Sequence, residues 1–129
     1  MKTKTYLTMI LFLLIFMIGC GGSSSDPKYI VTNSFKMIEN NDVDGVSDLL
    51  ASDVKSMISR EKLEKGVAEE SSKIKEKGGI SNIEFTDEKI EENQIDYKIK
   101  ISYGNGSTKN DKARLVKEDG KWKLGIAKN

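Results

Sequence analysis

Histidine is missing from this chain altogether, and cysteine and proline occur once each. Without histidine, the commonest metal ligand and the commonest general base near neutral pH are gone. One cysteine cannot close a disulfide within the chain, which excludes a disulfide-stapled scaffold. A surplus of one charge is missing too: the 129 residues carry 21 Lys+Arg and 20 Asp+Glu, and residues 20–129 carry 19 and 20. Proteins that bind nucleic acid use a basic surplus to displace counterions from phosphates, so a nucleic-acid partner is not expected. The long apolar run, residues 7–18 (LTMILFLLIFMI), is itself short. As a helix it would rise roughly 18 Å, well under the ~30 Å hydrocarbon core of a bilayer.

What is present at the amino terminus gives that short run a meaning. Lys2 and Lys4 precede it, and Gly19 follows it. A basic start, an apolar middle of this length and a small residue at the boundary are the pattern of a secretory signal peptide, here residues 1–19. The lone cysteine stands directly after it. Met17-Ile18-Gly19-Cys20 resembles the lipobox of bacterial lipoproteins, although Met17 occupies the place where leucine is usual. By that resemblance Cys20 receives a diacylglyceryl group on sulfur and becomes the first residue of the mature chain, whose amine is then acylated, commonly with palmitate. One acyl chain holds a protein only marginally at a membrane, and two or more hold it firmly. Gly21-Gly22-Ser23-Ser24-Ser25 then reads as a flexible tether within residues 20–26. It reaches ~18 Å at most, which keeps the body close to the bilayer. The expected address is the cell envelope, and Gly21 after the cysteine favours the outer membrane if the source has two.

The body, residues 27–129, changes period partway along. Asp26-Pro27 is a helix start: the carboxylate caps free amides, and proline at the first helical position lacks a donor that would be orphaned anyway. Val31, Phe35 and Ile38 then recur at helical spacing up to Asn40-Asn41. Asp42 caps a short helix carrying Val43, Val46, Leu49 and Leu50. Ser59 opens a third, with Leu63, Val67 and Ile74 on one side and charge on the other, stopped by Gly78-Gly79. After that the period falls to 2. Ile83 and Phe85 alternate with polar residues, and Ile95, Tyr97, Ile99, Ile101 and Tyr103 alternate without a break, the signature of a strand wet on one face.

Turn chemistry sets the registers. A two-residue Asp119-Gly120 turn pairs Glu118 with Lys121, Lys117 with Trp122, Leu115 with Leu124 and Ala113 with Ile126. The Gly104-Asn105-Gly106 stretch tempts the same treatment, yet a two-residue Asn-Gly loop would turn Lys112 and Arg114 onto the buried face. Desolvating that pair is expensive. The pattern therefore calls for a longer or bulged connection over about 104–108 that shifts the parity by one. By the same logic Glu91-Glu92-Asn93 is expected to be a three-residue or bulged turn, so that Phe85 faces Ile99. The fold class is α+β: three N-terminal helices packed on a curved four-stranded antiparallel sheet.

Helices first and a curled sheet after is also the order of the nuclear-transport-factor-2-like (NTF2-like) superfamily of cone-shaped α+β barrels. The body resembles the small bacterial lipoproteins of unknown function within it, some labelled lumazine-binding-like. The residues that carry the resemblance are Pro27 with Val31, Phe35 and Ile38, the Asn41-Asp42 turn into Val46 and Leu49-Leu50, and the closing Gly120-Lys121-Trp122-Lys123-Leu124. It implies a cone with a cavity between helices and sheet, and it carries over no catalytic residues.

Candidate sites are few. Asn40, Asp42, Asp44, Gly45 and Asp48 fall at the first, third, fifth, sixth and ninth places of a calcium loop, but the twelfth place, where a bidentate glutamate should close the shell, is Ala51. A polar turn with Asp42 as a cap is the better reading, and neither metal nor cofactor is expected. Tyr97, Tyr103, Trp122, Phe35 and Met57 are the residues placed to line a pocket, since aromatics offer apolar area with a polar tip. The same side chains also suit a plain core, which a body this small needs. A general base would have to face the cavity. Strand parity puts Asp87 inward after Phe85 and Lys117 beside Trp122, neither with an evident partner, and the serines have no histidine to activate them. The expectation is a lipid-anchored, non-enzymatic binding or interaction module, taking a small apolar ligand or an envelope protein. The alternative is a small isomerase or hydrolase of the cone superfamily.

Overall fold

The structure, a computed structural model, describes residues 26–128. The expected signal peptide, Cys20 and the expected tether of residues 21–25 lie outside the described residues. Four helices, α1 (Pro27–Glu39), α2 (Val43–Leu49), α3 (Ser52–Met57) and α4 (Arg60–Glu76), precede four strands, β1 (Ile80–Ile90), β2 (Gln94–Tyr103), β3 (Thr108–Glu118) and β4 (Lys121–Leu124). The strands form one antiparallel sheet in the order β1-β2-β3-β4. Among the described residues no helix is long and apolar enough to cross a membrane.

The capping chemistry works as the sequence dictates. Asp26 accepts from the Lys28 N–H, Asp42 from Gly45 and Ser59 from Lys62, which starts α1, α2 and α4. Three helices were expected of the body and four are found among the described residues. The added one, α3, has no cap of its own. Its first amide, Ser52 N–H, is satisfied from across the fold by the Glu118 carboxylate at 3.1 Å, and the Ser52 hydroxyl donates to the same group at 2.7 Å. No periodic signal in a six-residue stretch could have announced a helix that depends on a partner 66 residues away. The linker just before it, Leu50, forms a parallel bridge with Leu124, and Ala51 N–H donates to the Leu124 carbonyl, adding a short fifth rung beside β4.

The core sits between β2 and the helices. Ile95, Tyr97, Ile99, Ile101 and Tyr103 all face inward and are buried, joined by Val31, Ile30 and Ile74 from the helices and by Leu115 from β3. The connection after β2 does shift the parity: Tyr103 N–H donates to the Ser107 carbonyl, and Tyr97 pairs with Ala113, Ile95 with Leu115. Lys112 and Arg114 thereby reach the outer face.

Three register details depart from expectation. Phe85 does face Ile99, but the extra residue is Thr86 inside β1, not a residue of the β1–β2 turn, where Ile90 pairs with Ile95 and Glu91 N–H donates to Gln94. That bulge turns Asp87 outward, opposite Lys98, and puts Glu88 inward opposite Tyr97. The Ala113–Ile126 pair does not form either. β4 stops at Leu124, Gly125 N–H still donates to Arg114, and Ile126 is 51% exposed. Lastly, the inner face of β3 is not wholly apolar: Asp111 lies opposite Ile99 and Lys109 opposite Ile101. Asp111 is half-buried and Lys109 exposed, and their charged ends stand 4.0 Å apart, so neither charge is desolvated in the core.

Candidate functional site

Four of the five aromatic and methionine positions singled out from the sequence point toward the cone, and they fill it. Tyr97 and Tyr103 are 3% and 6% exposed. Phe35 and Trp122 are half-buried against the same cluster. Met57 is corrected: it lies at the end of α3, 71% exposed, because the six-residue helix turns its last side chain to solvent rather than to the sheet. Between the helices and β2 the side chains of Val31, Ile99, Ile101 and Leu115 are at most 2% exposed, so the interior is a packed core.

The reachable clefts lie around that core. One, of about 240 Å³, runs between α1 and β1 over Thr32, Phe35, Lys36 and Ile83. Its continuation, about 290 Å³, lies between Lys28 and the bulged stretch Phe85–Glu88. Lys28, Thr32, Phe35, Lys36 and Glu39 recur at helical spacing, so one face of α1 looks along the outermost strand. At the closed end the Glu39 carboxylate accepts from Ile80 N–H at 3.1 Å, tying helix to strand. At the open end Lys28 Nζ reaches Glu88 at 3.8 Å and stands 5.5 Å over the Phe85 ring, which meets Tyr97 edge-on at 5.0 Å. Burial holds the Tyr97 hydroxyl above its ordinary range, with the negative charges of Glu88 and Asp26 acting in the same direction. A phenol raised in this way stays neutral at physiological pH and is a poor base. Glu88 and Lys28 are each about half exposed in their side chains, so water screens the attraction between them.

Two other polar groupings have the look of chemistry. Ser52 Oγ donates to Glu118, but that hydrogen bond and the one from Ser52 N–H hold the Glu118 carboxyl below the usual carboxylate range. A carboxylate made less basic is the wrong partner for activating a hydroxyl, and the pair reads as the cap of α3. In the candidate calcium loop Asp42 Oδ1 is spent on Gly45 N–H at 3.0 Å. Asp44 is held by Arg60 at 2.7 Å, and Ala51 is fully buried under β4, so the twelfth place points into the fold.

The outer face of the sheet holds the best-formed ion pair. Arg114 donates from Nε to Asp96 Oδ1 at 2.7 Å and from Nη2 to Oδ2 at 3.2 Å, with Gln94 adding a third donor. The pair joins β2 to β3 at directly opposed positions. The Arg114 guanidinium holds the Asp96 carboxyl below its ordinary value, against a smaller opposing effect of burial. A folded-state value below the unfolded one contributes stability above the unfolded pKa, and that contribution is lost as pH falls through the folded value. We expect unfolding free energy to decline as pH drops from about 5 toward 2. Asp96→Asn should flatten that decline in urea titrations at several pH values; an unchanged slope would remove the pair from the account.

Comparison with known proteins is consistent with this architecture. A family model described as "Domain of unknown function (DUF4878)" matches residues 18–125. A protein from Campylobacter jejuni, provisionally described as an NTF2-like transpeptidase, superposes with a TM-score of 0.70 at 22% identity, over 80% of this chain and 100% of that one. A SEC-C-motif-containing protein from Rhodopseudomonas palustris superposes with a TM-score of 0.56 at 10% identity, over 83% of this chain and 85% of that one. No curated protein matches the sequence. At these identities the structural matches establish the fold, which is NTF2-like, and nothing of activity.

Proposed function

The chain belongs to the family of domains of unknown function DUF4878, and from that membership and the geometry we propose that it is an exported, lipid-anchored envelope protein that works as a non-enzymatic binding module. The observation that carries this reading is the filled interior. The inward row of β2 is Ile, Tyr, Ile, Ile, Tyr, all at most 6% exposed, with no carboxylate or amine among them. An NTF2-like enzyme needs an acid or base facing an enclosed chamber, and here that chamber is occupied by side chains. A groove between α1 and β1, over the half-buried Phe35, Ile83 and Phe85, offers apolar surface to a ligand or an envelope partner. The description of the Campylobacter protein as a transpeptidase raises acyl-transfer chemistry. Such chemistry would need an activated nucleophile, and the serines of the described body have neither histidine nor a basic carboxylate beside them.

The anchor rests on the sequence pattern of Met17–Cys20 and on the short tether after it. Radiolabelled palmitate should enter the native protein and not Cys20→Ser, and that variant should leave the membrane fraction by more than tenfold, since stable anchoring requires the acyl chains. Equal membrane retention of Cys20→Ser would sink the anchor. Native mass spectrometry of protein extracted from its own membrane addresses the binding role separately, through a co-purified ligand or partner.

A further inference from the structure

The outer face of the sheet is electrically unlike the rest of the molecule. Its outward positions, with Lys128 of the tail that follows β4, carry eight basic residues against four acidic ones. The remainder of residues 20–129 carries eleven against sixteen. The near-zero total therefore conceals a positive face and a negative body. Each of the four acids has a basic residue opposite it in the register: Glu84 faces Lys100, Asp87 faces Lys98, Asp96 faces Arg114, and Glu118 faces Lys121. Of the four bases left over, Lys89 reaches Glu91 at 3.5 Å and Lys123 donates to the Asp48 carbonyl at 2.7 Å. Lys112 and Lys128 have no carboxylate within 4.0 Å among the described residues.

Those two lysines line the same cleft. It has a volume of about 220 Å³ and lies where the tail residues Ala127 and Lys128 turn over β2 and β3, with Asp96, Lys98, Lys112 and Arg114 beneath them. Lys98 and Lys112 stand directly opposite each other across β2 and β3. Like charges so placed repel, and an anion between them would relieve the repulsion. The two carboxylates at the cleft do not cancel its charge. Asp96 is taken up on both oxygens by Arg114 and Gln94, while Asp87 accepts from Glu88 N–H and lies 4.0 Å from Lys98. Arg114 adds a guanidinium held in place by Asp96, a rigid donor suited to phosphate oxygens.

We infer that this cleft is an anion site for a phosphate-bearing group, and that the group is the headgroup of an anionic phospholipid. The volume accommodates one phosphate with its glycerol, and the surrounding lysines extend the positive field over a flat, mostly polar face rather than a deep pocket. Juxtamembrane lysines gain affinity in this way from the negative potential of a leaflet. The inference does not depend on the acyl anchor. The body tested below lacks Cys20, so a failure of one reading leaves the other standing.

The test uses residues 26–129, an extent that folds as a unit to judge from the Campylobacter protein, which is matched over its whole length. Sedimentation with vesicles of phosphatidylcholine alone should leave the protein in solution, and vesicles containing phosphatidylglycerol should retain it in a salt-sensitive manner. The double variant Lys112→Gln with Lys128→Gln should lose roughly thirty-fold in partitioning. Because removing one of two opposed lysines relieves repulsion, the variant's Tm should not fall, which separates lost binding from lost folding. Glycerol 3-phosphate should raise the Tm of the native body and not that of the variant. A Tm response to glycerol 3-phosphate without vesicle retention would keep the phosphate site and assign it a soluble source. Neither response, or equal retention of native and variant bodies, would overturn the inference.

Discussion

Replacing Leu115 with alanine is expected to lower the unfolding free energy by about 3 kcal/mol, within the 2–5 kcal/mol range for emptying a fully buried leucine site. Leu115 is fully buried on β3, opposite Ile95 on one side and Leu124 on the other. It is the residue through which the short β4 strand is packed onto the central pair. Deleting its side chain leaves a void that the neighbouring strands cannot close, because their spacing is set by the hydrogen-bond ladder. For a body of this size the loss corresponds to a fall in Tm of roughly 12–24 °C. The urea midpoint should move with no change in slope, and Leu115→Met, which keeps the volume, should cost less than about 1.5 kcal/mol. A Leu115→Ala variant within about 1 kcal/mol of the native protein would show that the core is not centred on β2.

The elements legible in the sequence are those whose signal is local. Three caps, the β2 alternation and the Asp119-Gly120 turn are each written within a few residues, and the structure has each of them. The parity shift over residues 104–108 is legible because the penalty for burying Lys112 and Arg114 exceeds the preference of an Asn-Gly turn. The position of the bulge in β1 is not legible from parity. A turn and a strand bulge shift the register alike, and only the pairing with β2 distinguishes them. Helix α3 was illegible because Glu118 supplies its cap from the far end of the chain. The aromatic candidates were legible as inward-facing residues, but whether they border a space or fill it depends on how closely α1 approaches β2, and the helical period does not encode that distance. The positive outer face is illegible for another reason: composition reports a sum, and the sign of a face appears only when the registers assign each lysine to a side.

Those registers also explain how the sheet guards its two open edges. Among the described residues β1 has no partner on its outer side, and β4 covers only the last four residues of β3, so β3 is open there from Thr108 toward Ala113. An unpaired edge invites pairing with a second chain. Along β1 the ladder is interrupted between Ile80 and Asn82 and again between Phe85 and Asp87. On β3 the open stretch places Lys109 and Asp111 on the inner face. Bulges on one edge and inward charge on the other both disfavour strand addition. The charges on the inner face of β3 are therefore not a failed core, and they lie in the stretch of the strand that β4 does not pair.

Gly104→Ala is expected to be among the most damaging changes outside the core, at the upper end of the ~1–3 kcal/mol that forced overpacking costs. Gly104 is exposed and starts the β2–β3 connection, so nothing in its solvent accessibility foretells the effect. Its backbone lies against that of Gly78 at the end of α4: a β-carbon on Gly104 would collide with the Gly78 carbonyl oxygen and stand 3.0 Å from its carbon. Neither backbone is free to retreat. Gly104 N–H donates to the Gly79 carbonyl and Asn105 N–H to Lys77, both at 2.9 Å. Gly78 and Gly79 also have φ of +88° and +81°, the left-handed conformation that ends the helix. Two glycine controls separate collision from conformation. At Gly106, φ is +87° and a β-carbon meets nothing within 4 Å, so alanine there should cost only the strain of the left-handed backbone, about 1 kcal/mol. At Gly66, inside α4 and equally open, alanine should stabilise the protein by about 1 kcal/mol through helix propensity. Thermal melts of the three variants should therefore rank Gly66→Ala above the native protein, then Gly106→Ala, then Gly104→Ala. If Gly104→Ala melts no lower than Gly106→Ala, then the close approach of the two backbones does not hold the end of α4 to the sheet.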